Sequence, residues 1–188
     1  MAKPKGRRKE KITKAIGLPD NVTASLNGRY LLIKGPKGEV KRELKQRNVS
    51  IKIEDKKIIL ESEGSTKTDK KMFGSLMAHV KNMVKGSLQN HFYLLKICSG
   101  HFPMNVSIAS NKLIIKNLLG EKVPRVLQLK ENVDVKVEGD IIHVASASKE
   151  IAGQVAADIE QLTRRPGYDT RIFQDGCYII SKDGKELK

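Results

Sequence analysis

Near its C-terminal end the chain reads LTRRPGYDTRIFQDGCYII, residues 162–180. Asp175 and Cys177 stand close together there, a carboxylate beside a thiol, which is material for acid–base or nucleophilic chemistry. The same stretch carries Arg164, Arg165 and Arg171 among Tyr168, Phe173 and Tyr178. Guanidinium groups fork onto phosphate and stack on flat rings, so these residues equally suit a surface that grips a polyanion. A second candidate is the Cys98-x-x-His101 pair with His91 upstream, which has the spacing of half a zinc site.

The enzymatic and metal readings find no support elsewhere. A zinc site needs about four ligands, and no second pair lies at a suitable distance from Cys98 and His101. Cys98 also follows an apolar run, where a free cysteine packs as a small hydrophobe. His79 falls on a helical pattern and His143 on an alternating one, and both are expected to be structural or surface groups. No serine occupies a G-x-S-x-G elbow, and no H-E-x-x-H, Walker or dinucleotide fingerprint occurs. Glu131, Asp134, Glu138 and Asp140 alternate outward like a solvated face. The GPKG at residues 35–38 has the spelling of a KH-domain clamp but sits between two strand patterns, so a hairpin turn is expected. Its counterpart at 117–120 keeps only the second glycine, which reads as a turn requirement for positive φ. Catalytic residues, cofactor, metal and small-molecule substrate are therefore all expected to be absent.

Charge is the strongest compositional signal. The 188 residues hold 36 Lys and Arg against 21 Asp and Glu, a net charge of +15 with a pI near 9.8. Such a field concentrates polyanions, and nucleic acid is the default partner. A membrane is not expected as partner, because no stretch approaches the roughly 18 apolar residues of a span. With two cysteines and no apolar leader at the N-terminus, a reducing cytoplasm is the expected compartment. The excess is uneven: residues 1–100 carry 23 basic and 9 acidic side chains, residues 101–188 carry 13 and 12. A second half that binds RNA must therefore separate its charges, with the basic groups on one side.

The elements that would position these groups are legible from periodicity. Residues 1–14, MAKPKGRRKEKITK, form a basic tail in which Arg7 and Arg8 are expected to contact RNA. From residue 20 the segments NVTASL, RYLLIK, EVKRELK, NVSIKIE and KIILES alternate as strands. Met72, Phe73, Leu76, Met77, Val80, Met83 and Val84 then recur at helical spacing, with Gly86 as the expected stop. The second half repeats the plan. NKLIIKNLLGEKVPRVL aligns with GRYLLIKGPKGEVKREL, NVDVKVEGDIIHVAS with NVSIKIEDKKIILES, and AGQVAADIEQL with FGSLMAHVKNM, at offsets of 79 to 84 residues. Three segments in the same order imply a duplication. The expected fold is α+β: two tandem copies of a small antiparallel sheet packed on one helix, over residues 15–100 and 101–188, with a C-terminal RNA-binding extension. A strand over Phe92–Ser99 is expected to finish the first copy.

In the second copy Lys112, Lys116, Lys122 and Arg125 lie along one hairpin, and Arg164, Arg165 and Arg171 follow the helix that should pack on the same sheet. If these gather on one side, a nearly neutral half can still grip RNA. In the extension, Ile172, Phe173, Cys177 and Ile179 read as the apolar side that pins it, and Asp175-Gly176 as a turn.

The segments SGHFPMNV, KLIIKNLLGEKVPR and AGQVAADIEQLTR, with MFGSLMAHVKNMVKG in the first copy, resemble the large-subunit ribosomal protein family numbered six in bacterial and universal naming and nine in eukaryotic naming. The HFP and LGEK..PR stretches look like its archaeal and eukaryotic branch. The resemblance implies two similar α+β domains and no catalysis. It implies a partner in large-subunit rRNA near the sarcin–ricin loop and the stalk base, where translation factors dock, with neighbouring ribosomal proteins including the stalk base. It also implies that the second domain is the principal anchor. Carried over by position, the RNA-contacting residues are Lys116, Lys122, Arg125, Arg164, Arg165, Tyr168 and Arg171, joined by Lys81, Asn82 and Lys85 from the first helix and its exit. The chain departs from the bacterial pattern at Met77, near which that branch carries an arginine, and this weakens that helix face as an RNA contact. A free RNA-binding regulator and an RNA-modifying enzyme are the competing readings.

Overall fold

The computed structural model describes residues 11–44, 49–54, 56–64 and 66–187. The chain divides between Gln89 and Asn90 into two compact units. In the first, the alternating segments form β1 (Ile12–Gly17), β2 (Thr23–Asn27), β3 (Tyr30–Gly35), β4 (Gly38–Glu43), β5 (Val49–Glu54) and β6 (Lys57–Ser62), and the helical pattern forms α1 (Lys67–Leu88). The strands make two antiparallel three-stranded sheets, ordered β1-β6-β5 and β2-β3-β4. Side chains alternate across a strand, so Leu31 and Ile33 of β3 point inward while Tyr30 and Lys34 face out. Ile16 and Ile51 meet Ile58 and Leu60 of β6 in register, and all four are buried. Fully burying one such side chain is worth about 1.5–3 kcal/mol.

Helix α1 starts at a capping box. The Thr66 hydroxyl accepts from the Asp69 amide at 3.1 Å, and the Asp69 carboxylate accepts from the Thr66 amide at 3.2 Å. Its apolar stripe, Phe73, Leu76, Val80, Met83 and Val84, is buried, and the helix packs on β3, β4 and β6. The helix does not stop at Gly86. It continues to Leu88, with Gly86 and Ser87 buried, because the turn after β3 packs against its last residues. The Lys37 amide donates to the Ser87 carbonyl at 3.0 Å, and a Cβ on Gly35 would lie 2.6 Å from that oxygen.

The second unit comprises β7 (His91–Cys98), β8 (Asn105–Ala109), β9 (Lys112–Lys116), a 3-10 turn (Leu118–Gly120), β10 (Arg125–Gln128), β11 (Asp134–Glu138), β12 (Ile141–Ser146), α2 (Lys149–Leu162), β13 (Gly176–Lys182) and β14 (Lys185–Glu186). Its sheets are ordered β10-β9-β8 and β11-β12-β7-β13-β14. Helix α2, capped by Ser148, buries Ala152, Val155, Ala156 and Ile159 against β7, β12, β13 and β10. The fold is α+β, each unit carrying one helix. Each also carries two small sheets rather than the single sheet expected.

The duplication extends further than the aligned segments suggested. Strand β1 pairs with β6 in the first unit as β7 pairs with β12 in the second. The strand expected to close the first copy therefore opens the second, and the units part eleven residues before the expected boundary at residue 100. The sequence obscured this because β1, with only Ile12 and Ile16 turned inward among lysines, overlaps the basic tail. Residues 12–14 of that tail are strand, while Arg7 and Arg8 lie outside the described residues. The C-terminal extension is corrected as well: it runs into β13, hydrogen-bonded to β7 at the centre of the sheet, and then β14. The shared turn glycines, Gly38 and Gly120, have φ of +147° and +78°, consistent with the expected backbone requirement.

Candidate nucleic-acid interface

On the β8-β9-β10 sheet, Lys112 and Lys116 stand on the opposite face from Arg125. Lys112 and Lys116 alternate with Leu113 and Ile115, which are buried, so both lysines stand on the outer face and are exposed. Arg125 lies opposite Ile115 in the β10–β9 register, so its side chain shares the inner face with Leu113 and Ile115, on the side of α2. The expectation that all seven cations gather on one side is thus corrected for Arg125, which faces away from Lys112 and Lys116. The period of two along β9, and the cross-strand position of Arg125, place them on opposite faces.

Arg125 is a brace. Its Nε and Nη2 donate to the two carboxylate oxygens of Glu121 at 2.8 and 2.6 Å. Its Nη1 donates to the carbonyls of Leu162 and Arg164 at 2.5 and 3.2 Å. The Leu162 carbonyl is an orphan at the end of α2 and the Arg164 carbonyl lies just past its C-cap Thr163, so one guanidinium caps the helix and fixes where the chain leaves it. The hydrogen bond from Arg125 is the main cause holding the Glu121 carboxyl below its ordinary value, against the opposing effect of burial.

The exit from α2 carries the arginines. Arg164 is exposed, and its guanidinium has no partner among the described residues. Arg165 is half-buried, with Nε 3.4 Å from Glu121 and its guanidinium 4.4 Å from the centre of the Tyr168 ring. Tyr168 meets Phe173 edge to face at 5.0 Å, and Phe173 stacks on His101 at 5.0 Å. His101 donates through Nδ1 to Asp175 at 2.5 Å. Asp175 also accepts from the backbone amides of Gly100 and His101 at 2.8 and 3.0 Å. Burial acts to raise the Asp175 carboxyl, but the hydrogen bonds from His101 and Gly100 prevail and hold it below its ordinary value.

These contacts fix the segment that looked like an active site. Asp175 is no turn residue and no free acid; it is a buried acceptor that staples the extension to the loop after β7. Cys177 is buried, with its thiol pushed up to about 12 by burial and by nearby Cys98, and its amide donates to the Thr163 hydroxyl at 3.0 Å. Such a thiol stays protonated and cannot serve as a nucleophile near neutrality. Ile172, expected to pin the segment, is 62% exposed; Phe173 and Cys177 hold it instead. Among the described residues no three His, Cys, Asp or Glu side chains gather as a metal site.

Lys122 is exposed on the loop before β10. Arg171 is exposed and pairs with Asp169 at 2.9 Å. A pair that open to water is weakly held, so phosphate can displace the carboxylate at little cost. In the first unit Lys81 and Lys85 are exposed and Asn82 is half-buried along α1, with Met77 half-buried nearby. Sequence reasoning found Phe173 as a pin of the segment but missed Glu121 and the pairing of His101 with Asp175, which position the arginines rather than carry charge to a partner. Only the four-residue spacing of Glu121 and Arg125 offered a signal; His101 and Asp175 meet across 74 positions.

The same chain matches, in two stretches, the family model described as Ribosomal protein L6, over residues 18–89 and 102–176, one stretch in each unit. The protein belongs to this family. It is 43% identical to the large ribosomal subunit protein uL6 of Methanococcus vannielii over 176 residues, 94% of this chain and 97% of that one. It is 40% identical to the protein of the same name from Methanothrix thermoacetophila over 173 residues, 92% of this chain and 98% of the relative. Both relatives are archaeal, in keeping with the branch indicated by the HFP and LGEK..PR stretches.

Proposed function

We propose that this protein is a structural constituent of the large ribosomal subunit, in the cytoplasm, that binds and stabilises large-subunit rRNA near the sarcin–ricin loop and the stalk base. There it supports the region where translation factors dock, beside neighbouring ribosomal proteins including the stalk base. It carries out no chemistry. Its part is to neutralise phosphates and to present a rigid, shape-matched surface to folded RNA.

The observation that carries this reading is near full-length likeness to proteins named for the large subunit, spanning both units. The surface fits it. Lys112, Lys116, Lys122, Arg164 and Arg171 are exposed, and the Glu121–Arg125 brace and the Asp175–His101 staple hold the arginine segment in place. Lys81, Asn82 and Lys85 on α1, and Arg7 and Arg8 in the tail, are proposed as further contacts.

The location is tested by tethering an iron chelate to Lys122→Cys and mapping hydroxyl-radical cleavage of bound large-subunit rRNA. Cuts clustered at the sarcin–ricin loop and stalk base are expected. Cuts confined to other regions of the RNA would overturn the assigned place.

A further inference from the structure

Between the end of α2 and the arginine segment lies a groove of about 920 Å³, lined by Thr163, Arg164, Arg165, Tyr168, Thr170, Phe173 and Tyr178 among others. That volume lies within the range of small-molecule sites, roughly 300–1,000 Å³. We propose that this groove takes one unstacked nucleotide of the bound RNA, its base on the ring of Tyr168 and its phosphate on Arg164. The proposal rests on the RNA-binding reading above and adds to it a base-binding subsite.

Three features support a nucleotide as the occupant. The Tyr168 ring is 42% exposed although the Arg165 guanidinium lies over it and Phe173 meets it in a T-shaped contact, so surface remains for a stacking partner. A base placed there extends a stack already begun by Arg165, and both aromatic rings and guanidinium planes are the usual platforms for splayed RNA bases. Arg164 lines the same groove with an exposed guanidinium that has no partner among the described residues. The two carboxylates at the groove are committed to the protein: Glu160 accepts from the Ile179 amide at 3.3 Å, and Asp175 accepts from Gly100 and His101. The groove therefore offers a cation and a ring while its acids are turned to other partners, which favours an anionic, flat ligand.

The test is binding of the full chain to deproteinised large-subunit rRNA over a range of salt, for wild type, Tyr168→Leu, Tyr168→Phe and Arg164→Gln, with circular dichroism to confirm that each is folded. Tyr168→Leu is expected to weaken binding about tenfold without changing the salt slope, since stacking carries no counterion release. Tyr168→Phe should restore binding, because the ring is kept. Arg164→Gln should lower the slope by about one. Wild-type affinity and slope for Tyr168→Leu would overturn the base subsite and leave RNA binding standing, pointing to a protein neighbour in the groove. Failure of wild type to bind the rRNA above a tRNA competitor would overturn the RNA-binding reading itself.

Discussion

The guanidinium of Arg125 donates to the carbonyl of Leu162 at 2.5 Å, joining residues 37 positions apart. Through that bond, and the paired bonds to Glu121, a hairpin residue sets the direction in which the chain leaves α2. Arg164 and Arg165 are held by what Arg125 does.

Replacing Arg125 should therefore cost stability first and affinity second. Arg125→Lys cannot reproduce the fork to Glu121 together with the helix-end carbonyls, and should destabilise the second unit by about 1–3 kcal/mol in urea unfolding. A lysine variant as stable as wild type would show that the brace carries no weight.

Acid should loosen the same unit. The folded-state values of Asp175 and Glu121 both lie below ordinary, so each contributes stability above the unfolded carboxylate value of about 4 and loses it as pH falls through the lower folded value. Asp175→Asn should be less stable than wild type at pH 7, with the gap narrowing steadily below pH 4. A gap independent of pH would contradict the charged staple.

Gly35 tests the first unit. A Cβ there would stand 2.6 Å from the Ser87 carbonyl oxygen, a backbone atom at the end of α1 that cannot rotate away. Gly35→Ala should cost about 1–3 kcal/mol of stability through overpacking. Unchanged unfolding would mean the turn does not press on the helix.

Thiol chemistry gives a simple readout. With its thiol raised to about 12 and its side chain buried, Cys177 should resist iodoacetamide at pH 8 in the native protein and react only after unfolding. Rapid native labelling at Cys177 would count against the packing described.

Much of this arrangement was legible in the chain. The strand alternation of Leu31 and Ile33, the helical recurrence from Phe73 to Val84 and the repeat itself follow from side-chain period, and the structure carries all of them. What escaped reading depended on contacts distant in sequence. His101 and Asp175 have no local pattern that joins them, and β13 was hidden because a strand paired on its inner side to β7 needs no repeat partner. Strand β1 was masked by the lysines around it. The face each lysine takes was available in principle: Lys112 and Lys116 sit in phase with each other, and only the cross-strand register put Arg125 on the other side.

The central claim, that this protein is a fixed part of the large ribosomal subunit, is tested most directly by sedimentation of cell extract through a high-salt sucrose gradient. The account predicts that the full chain travels with the large subunit and remains there as salt rises. Release into the free pool at moderate salt, with large subunits otherwise intact, would contradict it.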